Sequence, residues 1–245
     1  YEIRLSLVGS EMCIRDRKNI LSRKRRAMVK GLYTAYSGLT VQQKRLDVVS
    51  NNLANATTTG YKKEGLTTQS FKDVYGIKVK DETVGYINQN IGTLNLGAKV
   101  GESFRSWDQG SFQNTGNTFD FALSGSGLFS ISFTNKAGET STLYTRDGSF
   151  QMNREGYLVT KDGDFVLGEN GPIQLPTDFE KLTVEENGEI YADGQYVDRF
   201  ALVDFENYDY VEAYGENLYR AVDGATQTDA AATVNQGYLE ASNIN

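Results

Sequence analysis

The chain has 245 residues, of which 39% are hydrophobic and 23% are charged, and its formal net charge is −7. No apolar run approaches the roughly 20 residues that a membrane-crossing helix needs, which excludes an integral helical membrane protein. The sequence holds no histidine and a single cysteine, Cys13. These counts exclude histidine-based catalytic triads, most zinc sites and intrachain disulfides.

The first 27 residues differ in charge from the rest of the chain. They carry eight basic and three acidic residues, whereas residues 28–245 carry 17 basic and 29 acidic ones. A body with a charge of −12 would repel phosphate, so the basic run Ser22–Arg26 does not predict nucleic-acid binding. The stretch Ser6–Arg17 resembles translated adapter or vector DNA. We therefore expect residues 1–27 to be a non-native leader and Met28 to be the native start.

A leucine repeat follows this leader. Leucine recurs every seven residues, and a small or mixed residue lies three positions after each leucine. The pattern predicts a coiled-coil-forming N-terminal helix over residues 28–58, because positions a and d of a heptad meet the partner helix. An amphipathic helix that packs on its own domain explains the pattern equally well. The predicted interface consists of Leu32, Ala35, Leu39, Gln42, Leu46, Val49 and Leu53.

A turn rich in asparagine and threonine is predicted where this helix ends, near Asn55. These residues and glycine are poor helix formers and good turn formers. The amides are expected to cap turn carbonyls rather than to bind a ligand, and Gly60 is a candidate for a left-handed backbone. This turn and an extended connector with irregular β pairing occupy residues 59–110. The residues that define the turn are Asn51, Asn52, Asn55, Gly60 and Tyr61.

From residue 111 onward the sequence is typical of antiparallel β structure. Apolar residues alternate in the runs Phe119–Leu123 and Phe129–Phe133, and Asp-Gly or Asn-Gly dipeptides recur between residues 147 and 194. Many short strands joined by such turns predict an antiparallel β barrel or sandwich over residues 111–215. Residues 216–245 are expected to form a return segment. The predicted fold class is therefore mainly β, with an N-terminal α-helix.

No motif in the sequence predicts an active site. The run Gly125–Gly127 has the start of a dinucleotide fingerprint, but no helix follows it. Trp107 and the 15 tyrosines could form a sugar platform, although tyrosine also fills β surfaces and large interfaces. Four aspartates that could pair in a glycosidase or bind calcium lie at hairpin turns, where aspartate is expected: Asp162, Asp164, Asp193 and Asp198. The sequence thus predicts no catalytic residue, no metal and no cofactor.

Several stretches of the chain resemble bacterial flagellar rod and hook proteins. The N-terminal signature of that family is similar to Ser37–Leu39, Gln42–Gln43, Leu46–Asn55 and Thr59–Lys62. The entry to its β domain and the following hairpin are similar to Thr115–Phe129, Tyr144–Phe150 and Gly156–Thr160. The segment that leads into its C-terminal helix is similar to Gln236–Asn245. The chain is most similar to the short rod proteins, of the proximal- or distal-rod type, because the β domain is small for a hook protein.

The resemblance implies a structural, non-catalytic subunit of the basal-body rod, the helical tube that joins motor to hook and supports motility. It implies as partners further copies of the chain, neighbouring rod and hook proteins, the flagellar type III export apparatus and ring proteins around the rod. It implies an exported protein of the flagellar basal body in the cell envelope, with no nucleic-acid binding and no membrane insertion.

In the family, the N-terminal helix pairs with a C-terminal helix, and the resemblance places that helix beyond Asn245. The alternative hypothesis is a secreted β-rich binding or adhesion module, which explains only the β half of the sequence.

Overall fold

The structure, a computed structural model, describes residues 20–78, 89–135, 138–215 and 217–244. Its first element is helix α1, which spans Ile20–Ala54. The helix ends next to the predicted Asn55, and it begins eight residues before Met28, inside the predicted leader. Residues 1–19 of that leader lie outside the described residues. Neither α1 nor any other helix in the described ranges combines the length and apolarity needed to cross a membrane.

The chain divides into two compact units, and the first comprises Tyr1–Leu46 with Leu66–Glu102. The predicted connector contains β1 (Glu64–Ser70), β2 (Val74–Lys78), β3 (Gln89–Leu94) and β4 (Ala98–Arg105). Strand β1 pairs with β4, and β2 pairs antiparallel with β3. Within this unit the Thr67 hydroxyl donates to the carbonyl of Glu102 at 2.9 Å and accepts its N–H at 2.8 Å. The described part of the connector therefore forms two small sheets, in line with the predicted β pairing.

The second unit comprises Asp47–Gly65 with Ser103–Asn245 and holds the β-rich part of the chain. A 3-10 turn covers Tyr208–Tyr210. The strands are β5 (Phe112–Asn114), β6 (Phe121–Ser124), β7 (Leu128–Thr134), β8 (Thr140–Thr145), β9 (Gln151–Met152), β10 (Leu158–Val159), β11 (Phe165–Gly168), β12 (Gly171–Pro172), β13 (Leu182–Val184), β14 (Glu189–Ala192), β15 (Gln195–Arg199), β16 (Leu202–Phe205), β17 (Val211–Gly215), β18 (Leu218–Ala221), β19 (Gln227–Asp229), β20 (Thr233–Gln236) and β21 (Tyr238–Glu240).

The largest sheet has the order β17-β18-β8-β7-β11-β10-β9, and β16 joins it by pairing with β7 and β19. Three smaller sheets have the orders β13-β14-β15, β20-β6 and β21-β5. The pairings in these sheets are antiparallel. The fold is mainly β with one N-terminal helix, as predicted. Among the described strands no sheet closes into a barrel, so the sandwich-like arrangement fits.

The β domain does not end at residue 215, which corrects the predicted boundary. Strand β18 pairs with β8, β19 with β16, β20 with β6 and β21 with β5, so the predicted return segment is built into the sheets. The positive φ angles of Gly215 (127°) and Asn217 (65°) mark a hairpin between β17 and β18, not the end of a domain. The side chains of Leu218 and Tyr219, directly after this hairpin, are buried.

Strand β7 shows how the alternating pattern builds the core. Phe129 and Ile131 face the main apolar cluster, where the Phe129 ring packs edge-to-face on Phe150 at 5.2 Å and on Phe200 at 5.4 Å. Leu128, one residue away, belongs to a second cluster around Phe205. Successive side chains of a strand point to opposite faces, so β7 is covered on both sides.

Candidate functional site

The predicted helix interface lies exposed on one face of α1. The exposed fractions are 68% for Leu32, 65% for Leu39, 67% for Leu46, 53% for Val49 and 74% for Leu53. Ala35 and Gln42, the other two predicted interface residues, are exposed as well. We call these seven residues the leucine face. Clustered apolar residues of this size are uncommon on the surface of a soluble monomer and mark interaction sites.

Burial along α1 falls on a different face. Val41 and Asn52 are buried and Val48 is half-buried. At 3.6 residues per turn, these positions lie about 130° around the helix from the centre of the leucine face. The alternative in which the leucines pack on their own domain is therefore not the arrangement of the described residues.

The asparagine turn is held by amide side chains. The Asn55 amide donates to the carbonyl of Asn51 at 2.9 Å, which is the capping role predicted for it. Asn52 donates to the carbonyl of Glu64 at 2.8 Å and accepts its N–H at 3.0 Å, so this side chain acts as a strand partner. The Tyr61 hydroxyl accepts from Asn51 and donates to Asn52, both at 3.3 Å. Burial raises the pKa of Tyr61, which keeps the hydroxyl protonated as a donor.

Gly60 has the left-handed backbone that the sequence predicted, with a φ of 68°. A Cβ at this position would lie 2.5 Å from the carbonyl carbon of Arg146, closer than real Cβ atoms approach. The Gly60 N–H donates to the carbonyl of Glu240 at 2.8 Å. Because the turn packs this closely against two distant segments, only glycine fits.

Three charged side chains are buried beside this turn. One Glu240 carboxylate oxygen lies 2.8 Å from Lys62 Nζ, and the other lies 2.6 Å from Arg146 Nε. Glu240 also accepts the Gly110 N–H at 2.7 Å, and Lys62 donates to the carbonyl of Asp108 at 2.8 Å. We call Lys62, Arg146 and Glu240 the buried triad. It joins the asparagine turn, the end of β8 and the end of β21.

The triad has one anion between two cations. Burial lowers the pKa of Lys62 and the nearby Arg146 charge adds to the effect, whereas Glu240 opposes it. The remaining donors of Arg146 bind the carbonyls of Leu123, Gly125 and Gly127. These contacts tie three distant segments of the chain together, as a structural clamp does.

Comparisons with known proteins decide the family. The pattern of the family described as "Flagella basal body rod protein" matches residues 32–62, and that of "Flagellar hook protein FlgE/F/G D1 domain" matches residues 122–192. The chain is 34% identical to flagellar basal-body rod protein FlgG of Bacillus subtilis, over 89% of this chain and 86% of that protein. It is 31% identical to FlgG of Agrobacterium fabrum (88% and 86%) and 33% identical to FlgF of Caulobacter vibrioides (89% and 83%).

The chain belongs to the flagellar basal-body rod protein family. It is a structural subunit of the basal-body rod, and its family is not enzymatic. The alternative of a secreted binding or adhesion module is not supported. The side chain proposed for a sugar platform, Trp107, packs within the rod subunit's second cluster, with ring centroids 4.5 Å from Tyr208 and 4.9 Å from Tyr219.

Two of the four aspartates that the sequence singled out, Asp193 and Asp198, have structural roles. Asp193 and Gly194, with φ angles of 49° and 79°, form the tight turn between β14 and β15. Asp198 is buried and accepts from the Asn170 amide at 2.9 Å. Within the described ranges, no group of three or more histidine, cysteine, aspartate or glutamate residues could hold a metal ion.

Sequence reasoning missed the buried triad of the rod subunit. Each member nevertheless lies inside a stretch that carries the family resemblance: Lys62 in Thr59–Lys62, Arg146 in Tyr144–Phe150 and Glu240 in Gln236–Asn245. A charged residue in such a stretch is the signal that was available. Nothing in the sequence indicated that these three residues meet, because they are 84 or more positions apart.

Proposed function

We propose that this rod subunit assembles with further copies of itself, and with neighbouring rod and hook subunits, through the leucine face of α1. The observation that supports the proposal is the exposure of five large apolar side chains along one stripe of a 35-residue helix. The heptad spacing of the stripe matches the seam of a coiled coil.

The energy available from the leucine face is of the size that association costs. Each leucine or valine contributes about 1.5–3 kcal/mol when it becomes fully buried. Five such side chains give roughly 7–15 kcal/mol, which is comparable with the cost of about 4–15 kcal/mol for the lost freedom of two associating bodies. A helix of a neighbouring subunit on this face would therefore add enough to hold a subunit in a tube that makes further contacts elsewhere.

The test is Leu46→Asp in cells whose only copy of the protein carries the substitution. Burying an unpaired carboxylate in a helix interface is strongly unfavourable, so rods should be absent from isolated basal bodies and swimming should be lost. The matched control is Thr40→Asp, an exposed position about 120° around the helix from Leu46. It should leave rods and swimming intact. Normal rods with Leu46→Asp, at a normal cellular level of the protein, would show that the leucine face is not the assembly contact.

We further propose that the subunit reaches the rod through the flagellar type III export apparatus and lies within the cell envelope, with ring proteins around the assembled rod. Membership of the rod family supports this location. In a strain that lacks the export apparatus, the subunit should accumulate inside the cell and disappear from the envelope fraction. Unchanged delivery to the envelope in that strain would refute this route.

A further inference from the structure

A polar pocket of about 590 Å³ lies within the second unit, lined by the asparagine turn and the hairpin of β17 and β18. Asn51 and Asn55 contribute from the helix end, and Asn217 contributes from the hairpin. Neither the buried triad nor the leucine face explains this pocket. Its amide and cationic groups are suited to a ligand that accepts hydrogen bonds.

Two cations line the pocket. The Arg105 guanidinium lies over the Tyr219 ring, 5.2 Å from its centroid, and its Nε is buried with no hydrogen-bond partner among the described residues. Arg105 also has no ion-pair partner among the described residues, so its charge is available to the pocket that it lines. Lys161 is half exposed and lies 3.8 Å from the carboxylate of Asp147, which is already engaged by the Thr59 hydroxyl at 2.8 Å. The pocket therefore favours an anion.

A pair of carboxylates lies exposed elsewhere in the same unit. Glu185 and Glu186 occupy the turn between β13 and β14, which is closed by backbone hydrogen bonds of 2.9 Å from Glu185 to Glu189 and from Gly188 to Glu185. Neither carboxylate has a hydrogen-bond or ion-pair partner within the described ranges. In the described sequence, no other two acidic residues are neighbours. The turn thus exposes two adjacent negative charges at the end of a hairpin.

We propose that the pocket receives the Glu185–Glu186 turn of a neighbouring copy of this chain, with Arg105 and Lys161 as charge partners. The inference rests on the proposed assembly of the subunit into the rod. Copies whose residues 28–245 carry a charge of −12 repel one another, so a cationic pocket is best used at a contact. The turn and the pocket are different surfaces of one chain, so their contact is head-to-tail, the kind that builds open helical assemblies.

Direct binding is tested with the whole chain and a nine-residue peptide, residues 182–190, followed by NMR. The Arg105 Nε–H signal and the side-chain amides of Asn51 and Asn217 should shift as the peptide is added. The same peptide with Glu185 and Glu186 both replaced by glutamine should bind at least about tenfold more weakly. Added salt should weaken binding of the unsubstituted, acidic peptide. No shift of these signals, or equal binding of the two peptides, would overturn the proposal.

Substitutions of the pocket cations test whether they bind the peptide. Lys161→Gln should weaken binding of the peptide severalfold. Arg154→Gln should not, because Arg154 is an exposed cation outside the pocket. Arg105→Gln should abolish binding, and if that variant fails to fold, the Lys161 variant decides.

A charge exchange in cells tests the contact between copies. Lys161→Glu and Glu185→Lys should each reduce the number of rods, and the double variant should restore them. If neither single variant changes rod assembly while Leu46→Asp abolishes it, the pocket contact is wrong and the leucine-face proposal stands. If Leu46→Asp has no effect but the charge exchange behaves as expected, the leucine-face proposal fails alone.

Discussion

Replacing Glu240 by glutamine should be among the most destabilising single substitutions in this rod subunit. The Glu240 side chain is 1% exposed and lies between the cations of Lys62 and Arg146. Glutamine keeps the volume of the side chain but removes its charge. Both cations then remain buried without an anion, because no other carboxylate has an ion-pair contact with them in the described structure.

The expected loss follows from the cost of breaking a buried ion pair, about 3–5 kcal/mol. Domains are stable by about 5–15 kcal/mol in total, so the variant loses a large share of its stability. The melting temperature should fall by roughly 6–20 °C, at about 2–4 °C per kcal/mol for a chain of this size. Lys62→Met should cost about 1–3 kcal/mol, less than Glu240→Gln, because it removes two hydrogen bonds, to Glu240 and to the Asp108 carbonyl, but leaves the Arg146–Glu240 pair intact.

The assay is urea unfolding at pH 7, followed by the fluorescence of the single tryptophan, Trp107, and by far-ultraviolet circular dichroism. Glu212→Gln is the control, because Glu212 pairs with Arg220 at 3.4 Å on the surface and should contribute less than about 1 kcal/mol. A loss below about 1 kcal/mol for Glu240→Gln, or equal losses for Glu240→Gln and Lys62→Met, would refute the charge argument.

Further substitutions should change the stability of the subunit, or the way its stability depends on pH. A Cβ at Gly148 would collide with the carbonyl oxygen of Phe121, so Gly148→Ala should lower stability by several kcal/mol in thermal unfolding, whereas Gly38→Ala meets open space and should raise α1 stability by up to about 1 kcal/mol. Burial raises the pKa of Asp147, so its ionised form opposes folding; Asp147→Asn should therefore gain stability relative to the wild type as pH rises through the acid range. The lowered pKa of Lys62 means that the unfolded chain holds this proton more tightly, so wild-type stability should rise relative to Lys62→Met as pH increases toward 10.5.

Local patterns predicted the elements of this fold because such patterns depend on neighbouring residues. Alternation over Phe129–Phe133 indicated β7, the Asp193–Gly194 dipeptide indicated the β14–β15 turn, and the asparagines after residue 50 indicated the end of α1. The predicted left-handed conformation of Gly60 is confirmed. Periodicity and turn chemistry are set within a few positions of the chain, so one sequence is sufficient to detect them.

Pairings between distant segments could not be predicted in this way. Phe121 pairs with Gln236 and Phe112 pairs with Glu240, across more than a hundred intervening residues. No local signal sets such a register, so the chain after Gly215 looked like a return segment although it supplies strands to three sheets. The burial of Glu240 depends on this same pairing, and for that reason the buried triad remained invisible in the sequence.

In two places of this subunit, an apolar residue is exposed or a charged residue is buried, and the asparagine turn connects the two places. Leu53 is exposed at the end of α1, while Lys62, nine residues later, is buried. Asn52, directly before Leu53, holds the backbone of Glu64, two residues after Lys62, so the last turn of the helix is fixed to the segment that carries the buried lysine. A side chain fixed in place before association loses less entropy when a partner binds. We therefore expect the clamp around Glu240 to favour the proposed assembly, because it holds the end of the leucine face in one orientation.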